Sequence, residues 1–315
     1  MSNVQGFLIK NDDYLFFDIF FKNNKIYLIL PIYNTVTNCE EIKMTIDNCQ
    51  IEITHKFIKD FREPILIYFY DYVCDKPEID VLVEYTGIVK NYCLQNIQKN
   101  NNIHYLALTT LFKADYNLFT MFYDYYKNQG VTHFFMYYNG KITTDIETVF
   151  KKDDVTLVEW DYKYWNNKDE YKYTHHAQLG QMHHAIYRYG KNDCNYMIFC
   201  DLDEYLHTPN SKIIEFIKKN PEIDLFGFCN KWSQTIDGSI PVSFPEEFLT
   251  SVEKKHSDRS KNIYKLDSVD IISIHNGYKF KIKPKEIKNL SMFHFFNWTN
   301  QKRKINDISF SSVCI

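Results

Sequence analysis

The chain has 315 residues, 45% of them hydrophobic and 17% aromatic, with a formal net charge of -3. That is ample apolar mass for one large or two ordinary domains, and it excludes a disordered chain. The slight acidic surplus excludes a general nucleic-acid binder, and eight scattered cysteines without a Cys-x-x-Cys pair exclude the common zinc and redox motifs.

The first residues carry no basic stretch followed by an apolar one, so no signal peptide is expected. Apolar runs such as 27–32 fall far short of the ~20 residues that span a bilayer. The expectation is a cytoplasmic protein with reduced thiols and no transmembrane segment. Residues 14–21, 25–33, 49–57, 65–72 and 81–89 are β-branched and aromatic, separated by Asn, Asp, Pro and Lys. They predict a small antiparallel β-rich domain over 1–100, with the polar stretch 90–102 as its boundary.

After that boundary the pattern alternates, predicting a second, α/β domain over 101–315. Residues 103–110 predict a buried strand, and 115–129 a helix whose apolar positions fall near helical spacing and which stops at Gly130. Strands over 131–138 and 155–160 follow, with a helix over 144–151 between them. A long helix over 175–189 leads to the strand that closes on Asp201-Leu-Asp203-Glu204. Such alternation predicts a mainly parallel sheet covered by helices, with ligands collecting at the carboxyl ends of the strands. Thr109, Thr110, Asn139, Asp201 and Asp203 all fall at such ends. Residues 241–245 and 253–262 read as loops, suited to a lid or an acceptor site.

In an extended segment Asp201 and Asp203 project to one side, and two carboxylates so placed repel unless a cation lies between them. A divalent ion, Mn²⁺ or Mg²⁺, suits their hard oxygens and leaves positions open for phosphates. Glu204, by the same alternation, points to the opposite face, and a late histidine, His275 or His294, is expected to complete the metal set. His175, His176, His183 and His184 lie in one predicted helix, but the two pairs are about 12 Å apart along it. They read as buried or partly buried helix residues rather than ligands. Lys113, Arg259 and Lys261 are the candidate cations for a diphosphate, and Tyr137 and Tyr138 could stack on a base. No Walker loop, Gly-x-Gly-x-x-Gly or Gly-x-Ser-x-Gly elbow occurs.

Lys113-Ala-Asp115, the helix carrying Phe122-Tyr-Asp-Tyr-Tyr126, Gly130 and the strand closing on Tyr137-Tyr138-Asn139 resemble the opening of family 92 glycosyltransferases and their GT-A relatives. Gln178 or Gln181, then Asp201-Leu-Asp203-Glu204-Tyr205-Leu206, Lys261-Asn-Ile-Tyr-Lys265, His275 and His294-Phe295 resemble the family's later segments in order, over roughly residues 103–300. The departures are Phe295, where relatives often have Tyr, and Trp232 to Gly238, which matches the acceptor-side segment loosely.

The resemblance implies a GT-A, Rossmann-like nucleotide-diphospho-sugar transferase domain. It implies metal-dependent, inverting hexosyl transfer from a nucleotide sugar, UDP-linked, to a glycan or a protein- or lipid-linked acceptor. The implied donor-binding residues are Thr109, Thr110, Lys113, Asp115, Tyr138, Asn139, Gln178, Gln181, Asp201 and Lys261. The metal set is drawn from Asp201, Asp203, His275 and His294, with Asp203 the direct ligand and Asp201 the link to ribose or to a metal-bound water. Asp237 is the first choice for the general base, with Glu204, Glu246 and Glu247 as rivals. Two other readings share the carboxylates: a metal-dependent phosphoryl or nucleotide-sugar hydrolase, and a non-catalytic carbohydrate-binding protein.

Overall fold

The computed structural model describes residues 4–10, 13–31, 41–52, 55–59, 65–98, 103–164, 176–233, 235, 239–245, 255–295 and 298. Ten strands among these fill the first part of the chain. They are β1 (Phe7–Lys10), β2 (Asp13–Phe16), β3 (Asp18–Lys22), β4 (Lys25–Pro31), β5 (Lys43–Ile46), β6 (Cys49–Ile51), β7 (His55–Lys59), β8 (Ile65–Asp71), β9 (Glu78–Tyr85) and β10 (Ile88–Ile97). Strands β3 to β10 form one sheet in the order β6-β5-β9-β10-β3-β4-β8-β7. Only the short parallel pairing of Asn96 and Ile97 with Phe21 and Lys22 joins its two halves, and the halves pack face to face. Ile26, Leu28 and Leu30 of β4 share a core with Val81 and Val83 of β9 and Leu94 of β10. This alternation is the signature of a strand buried on both sides by different partners.

The run 81–89, predicted as one strand, is a hairpin. Thr86 and Gly87 both take positive φ (48° and 81°), the two-residue turn whose twist suits a hairpin, and β-branched Thr86 hides that turn in the sequence. The predicted boundary 90–102 is in consequence strand as far as Ile97.

The second part begins with β11 (His104–Phe112), α1 (Phe119–Asn128), β12 (His133–Tyr138), α2 (Thr144–Val149), β13 (Val155–Glu159), α3 (His176–His184) and β14 (Cys194–Phe199). It continues with β15 (Glu204–His207), α4 (Ile213–Lys219), β16 (Leu225–Ser233), β17 (His256–Lys265), β18 (Val269–Ile272), β19 (Gly277–Phe280) and β20 (Glu286–Phe295). One sheet runs β13-β12-β11-β14-β17-β16-β20-β15. Its first four strands are parallel, and β17 is antiparallel to both neighbours. The chain steps outward from β11 to β13, then returns to β14 on the other side of β11. The gap between the carboxyl ends of β11 and β14 is therefore the topological switch point, where open α/β sheets bind ligands. The stretch 253–262, predicted as a loop, is largely strand β17: it pairs with β16, and from Asn262 onward with β14 as well, while Lys261 serves the site described below.

Helices cover both faces. Leu106 and Leu108 of β11 pack with Phe119, Phe122 and Tyr126 of α1, and Ala107 and Leu111 pack on the opposite face with Leu179 and Met182 of α3. The predicted long helix continues from α3 as a wider π-type segment, Ala185–Gly190. This helix lies between the two large sheets. Phe17, Phe20, Tyr27, Ile29 and Phe69 of the β-rich part share one core with Trp160, Leu179, Ile186 and Tyr187. At Gly180 an added Cβ would lie 2.3 Å from the Phe17 ring, so only glycine admits this approach. The stretches 1–100 and 101–315 are thus joined by a common core. No helix among the described residues is long and apolar enough to cross a membrane.

At the amino-terminal rim of the parallel strands His133 bonds Thr156 Oγ1 through Nε2 (2.8 Å) and packs on the His104 ring at 4.7 Å. Burial, with a smaller push from His104, lowers His133 to about 4. The folded state thus keeps the imidazole neutral while the unfolded chain takes a proton below about 6.5. The stability this confers is present above that value and lost as pH falls from there to about 4. Tm should drop less between pH 7 and pH 5 in His133→Gln than in the wild type; parallel pH profiles would refute the assignment.

Candidate active site

Strand β14 ends at Phe199, and residues 201–204 turn rather than continue extended. The Glu204 N–H donates to the Asp201 carbonyl (3.1 Å), and the Asp201 N–H donates back to Glu204 Oε2 (2.7 Å). This reciprocal turn overturns the alternation argument from the sequence, because Glu204 comes round to the same site as its neighbours. Two tyrosines of α1 fix the outgoing strand: Tyr126 donates to the Glu204 carbonyl (2.8 Å) and Tyr125 to the Leu206 carbonyl (2.6 Å). Strand β15 then pairs Glu204 with His294 of β20, and β20 pairs His294 with Trp232 of β16. Register thus sets Glu204, His294 and Trp232 in one row across three strands, and the Trp232 and His294 rings stack at 4.7 Å with 29° between their planes.

The carboxylates meet a buried lysine and a buried histidine. Lys261 Nζ of β17 lies 2.8 Å from Asp201 Oδ2 and 3.2 Å from Glu204 Oε2, with the Lys261 and Glu204 side chains 4% and 1% exposed. His294 Nε2 lies 3.4 Å from Asp203 Oδ2, and its Nδ1 lies 3.7 Å from Glu204 Oε1. Burial pushes Glu204 up to about 7; Lys261 pulls against it, and the charge of Asp201 adds to the rise. At Asp201 desolvation acts upward too, but Lys261 outweighs it and holds the carboxyl below its ordinary value. Burial works to lower His294, yet Asp203 and then Glu204 keep it above the usual imidazole value.

Asp203, Glu204 and His294 are all buried and offer ligand atoms within 4.8 Å of one another, a group able to hold a metal ion. His294 Nδ1 is buried with no hydrogen-bond partner among the described residues. Two carboxylates and one imidazole suit a hard divalent cation such as Mn²⁺ or Mg²⁺. Of the residues expected to hold a metal, Asp203 and His294 lie in this group, and Asp201 and His275 do not. Asp201 is engaged by Lys261, and His275 lies outside the group, its Nδ1–H donating to the Ser260 carbonyl (3.0 Å).

Beside this group, at the switch point, a small polar cleft is lined by Thr109, Thr110, Gln178, Gln181, Asp201 and Lys261 together with Phe199, Cys200 and Ile274. Gln181 donates to Thr109 Oγ1 (2.7 Å), Gln178 donates to Asp201 Oδ1 (3.3 Å), and the buried Thr110 hydroxyl has no hydrogen-bond partner among the described residues. Four predicted donor-binding residues do not line the cleft. Lys113 is exposed in the turn after β11, and the Asp115 carbonyl accepts the Leu118 N–H to open a 3-10 turn. Tyr138 packs on Phe112, and the Asn139 amide donates to the carbonyls of Trp160 and Tyr162 (2.9 and 2.7 Å). Asp237, Glu246 and Glu247 lie outside the described residues. Glu204, the rival among the described residues, is 1% exposed and lies 3.2 Å from Lys261.

The buried histidines of α3 are structural. His183 Nδ1–H donates to the Leu179 carbonyl and its Nε2 accepts the Ile272 N–H. His184 bonds Tyr137 and Asp18. Sequence reasoning placed Trp232 only loosely, on the acceptor side; its stacking on His294 follows from strand register, which no local signal reports. Arg259, at φ 58°, sets its guanidinium 5.6 Å from the Trp232 ring centre.

An acidic cluster and a polar cleft at the switch point of an α/β sheet are the setting of an enzyme that handles a charged ligand. Residues 105–312 match the model of glycosyltransferase family 92. The chain belongs to glycosyltransferase family 92. No curated protein matches it. Among solved structures it is similar to the crystal structure of S. aureus TarS 1-349, at 10% identity and a TM-score of 0.29, covering 51% of this chain and 47% of that one. The chain thus spans about half the length of that structure.

Proposed function

We propose that the protein transfers a hexosyl group from a UDP-linked sugar to a glycan or a protein- or lipid-linked acceptor, with inversion, on a GT-A-type sheet. The observation that carries this reading is the meeting of Asp203 and His294 beside the cleft at the switch point. Those two residues would hold Mn²⁺ or Mg²⁺, which when bound supplies positive charge for the departing diphosphate. Lys261 adds a fixed ammonium at the cleft and keeps Asp201 ionised, so that Asp201 can accept hydrogen bonds from ribose or from water. The Thr110 hydroxyl and the amides of Gln178 and Gln181 supply further polar contacts to the donor. Asp237 remains the proposed base from its place downstream of the acidic motif.

Calorimetric titration of UDP with and without Mn²⁺ tests this. The wild type should bind UDP more tightly with Mn²⁺, by about tenfold or more, and Asp203→Ala should lose that gain. Equal affinity of the wild type in both conditions would reject the metal reading. A screen of nucleotide sugars for thermal stabilisation then identifies the donor.

A further inference from the structure

His294 faces different carboxylates with its two ring nitrogens, Nε2 toward Asp203 and Nδ1 toward Glu204. One ion cannot be bound by both nitrogens of a single imidazole, so an ion held at Nε2 beside Asp203 leaves Nδ1 facing Glu204. Glu204 Oε2 is taken by the Asp201 N–H and by Lys261, which leaves Oε1 for Nδ1. Stacking on Trp232 fixes the plane of the imidazole, and only a ring flip would exchange its nitrogens. A metal-bound imidazole generally gives its second N–H to a carboxylate, which sets the tautomer and raises ligand basicity.

We infer that Glu204 is the positioning residue of the metal site: it accepts the Nδ1–H of His294, so that Nε2 is presented beside Asp203, and it is itself neither ligand nor base. This assignment rests on the proposed metal site. The 3.7 Å separation is longer than a hydrogen bond, and Glu204 fills this role only if the two groups draw together once a metal is held at Nε2.

The test is Mn²⁺ affinity in the presence of UDP, read from the electron paramagnetic resonance of free Mn²⁺. Glu204→Ala should weaken Mn²⁺ binding about 10–100-fold, whereas Glu204→Gln, whose amide oxygen still accepts the N–H, should stay within about threefold of the wild type. Unchanged affinity in Glu204→Ala overturns the inference. So does a Glu204→Gln loss as large as that of alanine, which would make the carboxylate charge itself a ligand. A second measurement needs no variant at this position: ¹⁵N shifts of the His294 ring in Mg²⁺- and UDP-loaded protein should report Nδ1–H, and an Nε2–H ring contradicts it. A wild type that binds no Mn²⁺ at all fails the metal reading instead, so the two failures are distinct.

Discussion

Replacing Lys261 by methionine should lower the unfolding free energy by about 3 kcal/mol and cut turnover by about 10²–10³-fold. Lys261 is nearly sealed in and bridges Asp201 and Glu204. Deleting one member of a buried ion pair leaves uncompensated charge, a loss of about 3–5 kcal/mol. The lower end applies here for two reasons. The Asp201 side chain is 39% exposed, so water screens it. Glu204, already pushed to about 7 by burial, can escape its charge by taking a proton. Denaturant unfolding at neutral pH measures the first effect and glycosyl transfer the second. Adding Asp201→Asn and Glu204→Gln to Lys261→Met should return most of the stability, because the neutral groups no longer need a cation, with no return of turnover. An unfolding midpoint equal to the wild type in Lys261→Met alone would refute the bridging role.

Asp18→Ala should destabilise the protein by about 3–5 kcal/mol. Asp18 sits on β3 with its side chain fully buried and accepts the Gln5 N–H, His184 Nε2–H and Arg188. Burial acts to raise its pKa, but Arg188 and then His184 outweigh it and hold it below the usual carboxylate value. A depressed folded value means that this stability is fully present above the unfolded value of about 3.8 and is lost only as pH falls through the lower folded one. The deficit of Asp18→Asn against the wild type should therefore be complete at neutral pH and shrink below about pH 4. His184 is buried and kept neutral, receiving the Tyr137 hydroxyl proton on Nδ1. The network thus ties β3 to α3, the helix that carries Gln178 and Gln181 into the cleft. Loss of UDP binding with unaltered unfolding would contradict this account, since the predicted defect reaches the cleft through stability.

Much of the α/β part was legible because its cues are local. Apolar runs and helical spacing placed β11, α1, β12 and β14 to within a few residues, and Gly130 marked the stop of α1. The Asp201–Glu204 motif stood out because three carboxylates follow a buried strand. The hairpin at Thr86–Gly87 was missed because only one residue of its turn carries a turn signal, and β17 was missed because a paired strand can be polar when its side chains line a site. The extended geometry assigned to Asp201 and Asp203 failed because the strand ends at Phe199, and a turn there depends on a hydrogen bond between residues 201 and 204 that alternation cannot anticipate.

By itself the sequence determined which residue types were available to the site and on which elements they ride: Thr109 and Thr110, Gln178 and Gln181, Asp201 to Glu204, Lys261 and the late histidines. Only the tertiary structure decided how they are shared out. The pairing of β15 with β20 and β20 with β16 selects His294 over His275 and sets Glu204 and Trp232 against it, while the pairing of β14 with β17 brings Lys261 to Asp201. Strand register is fixed by the packing of whole faces and not by any one residue, so a choice between two histidines nineteen positions apart is made by the sheet.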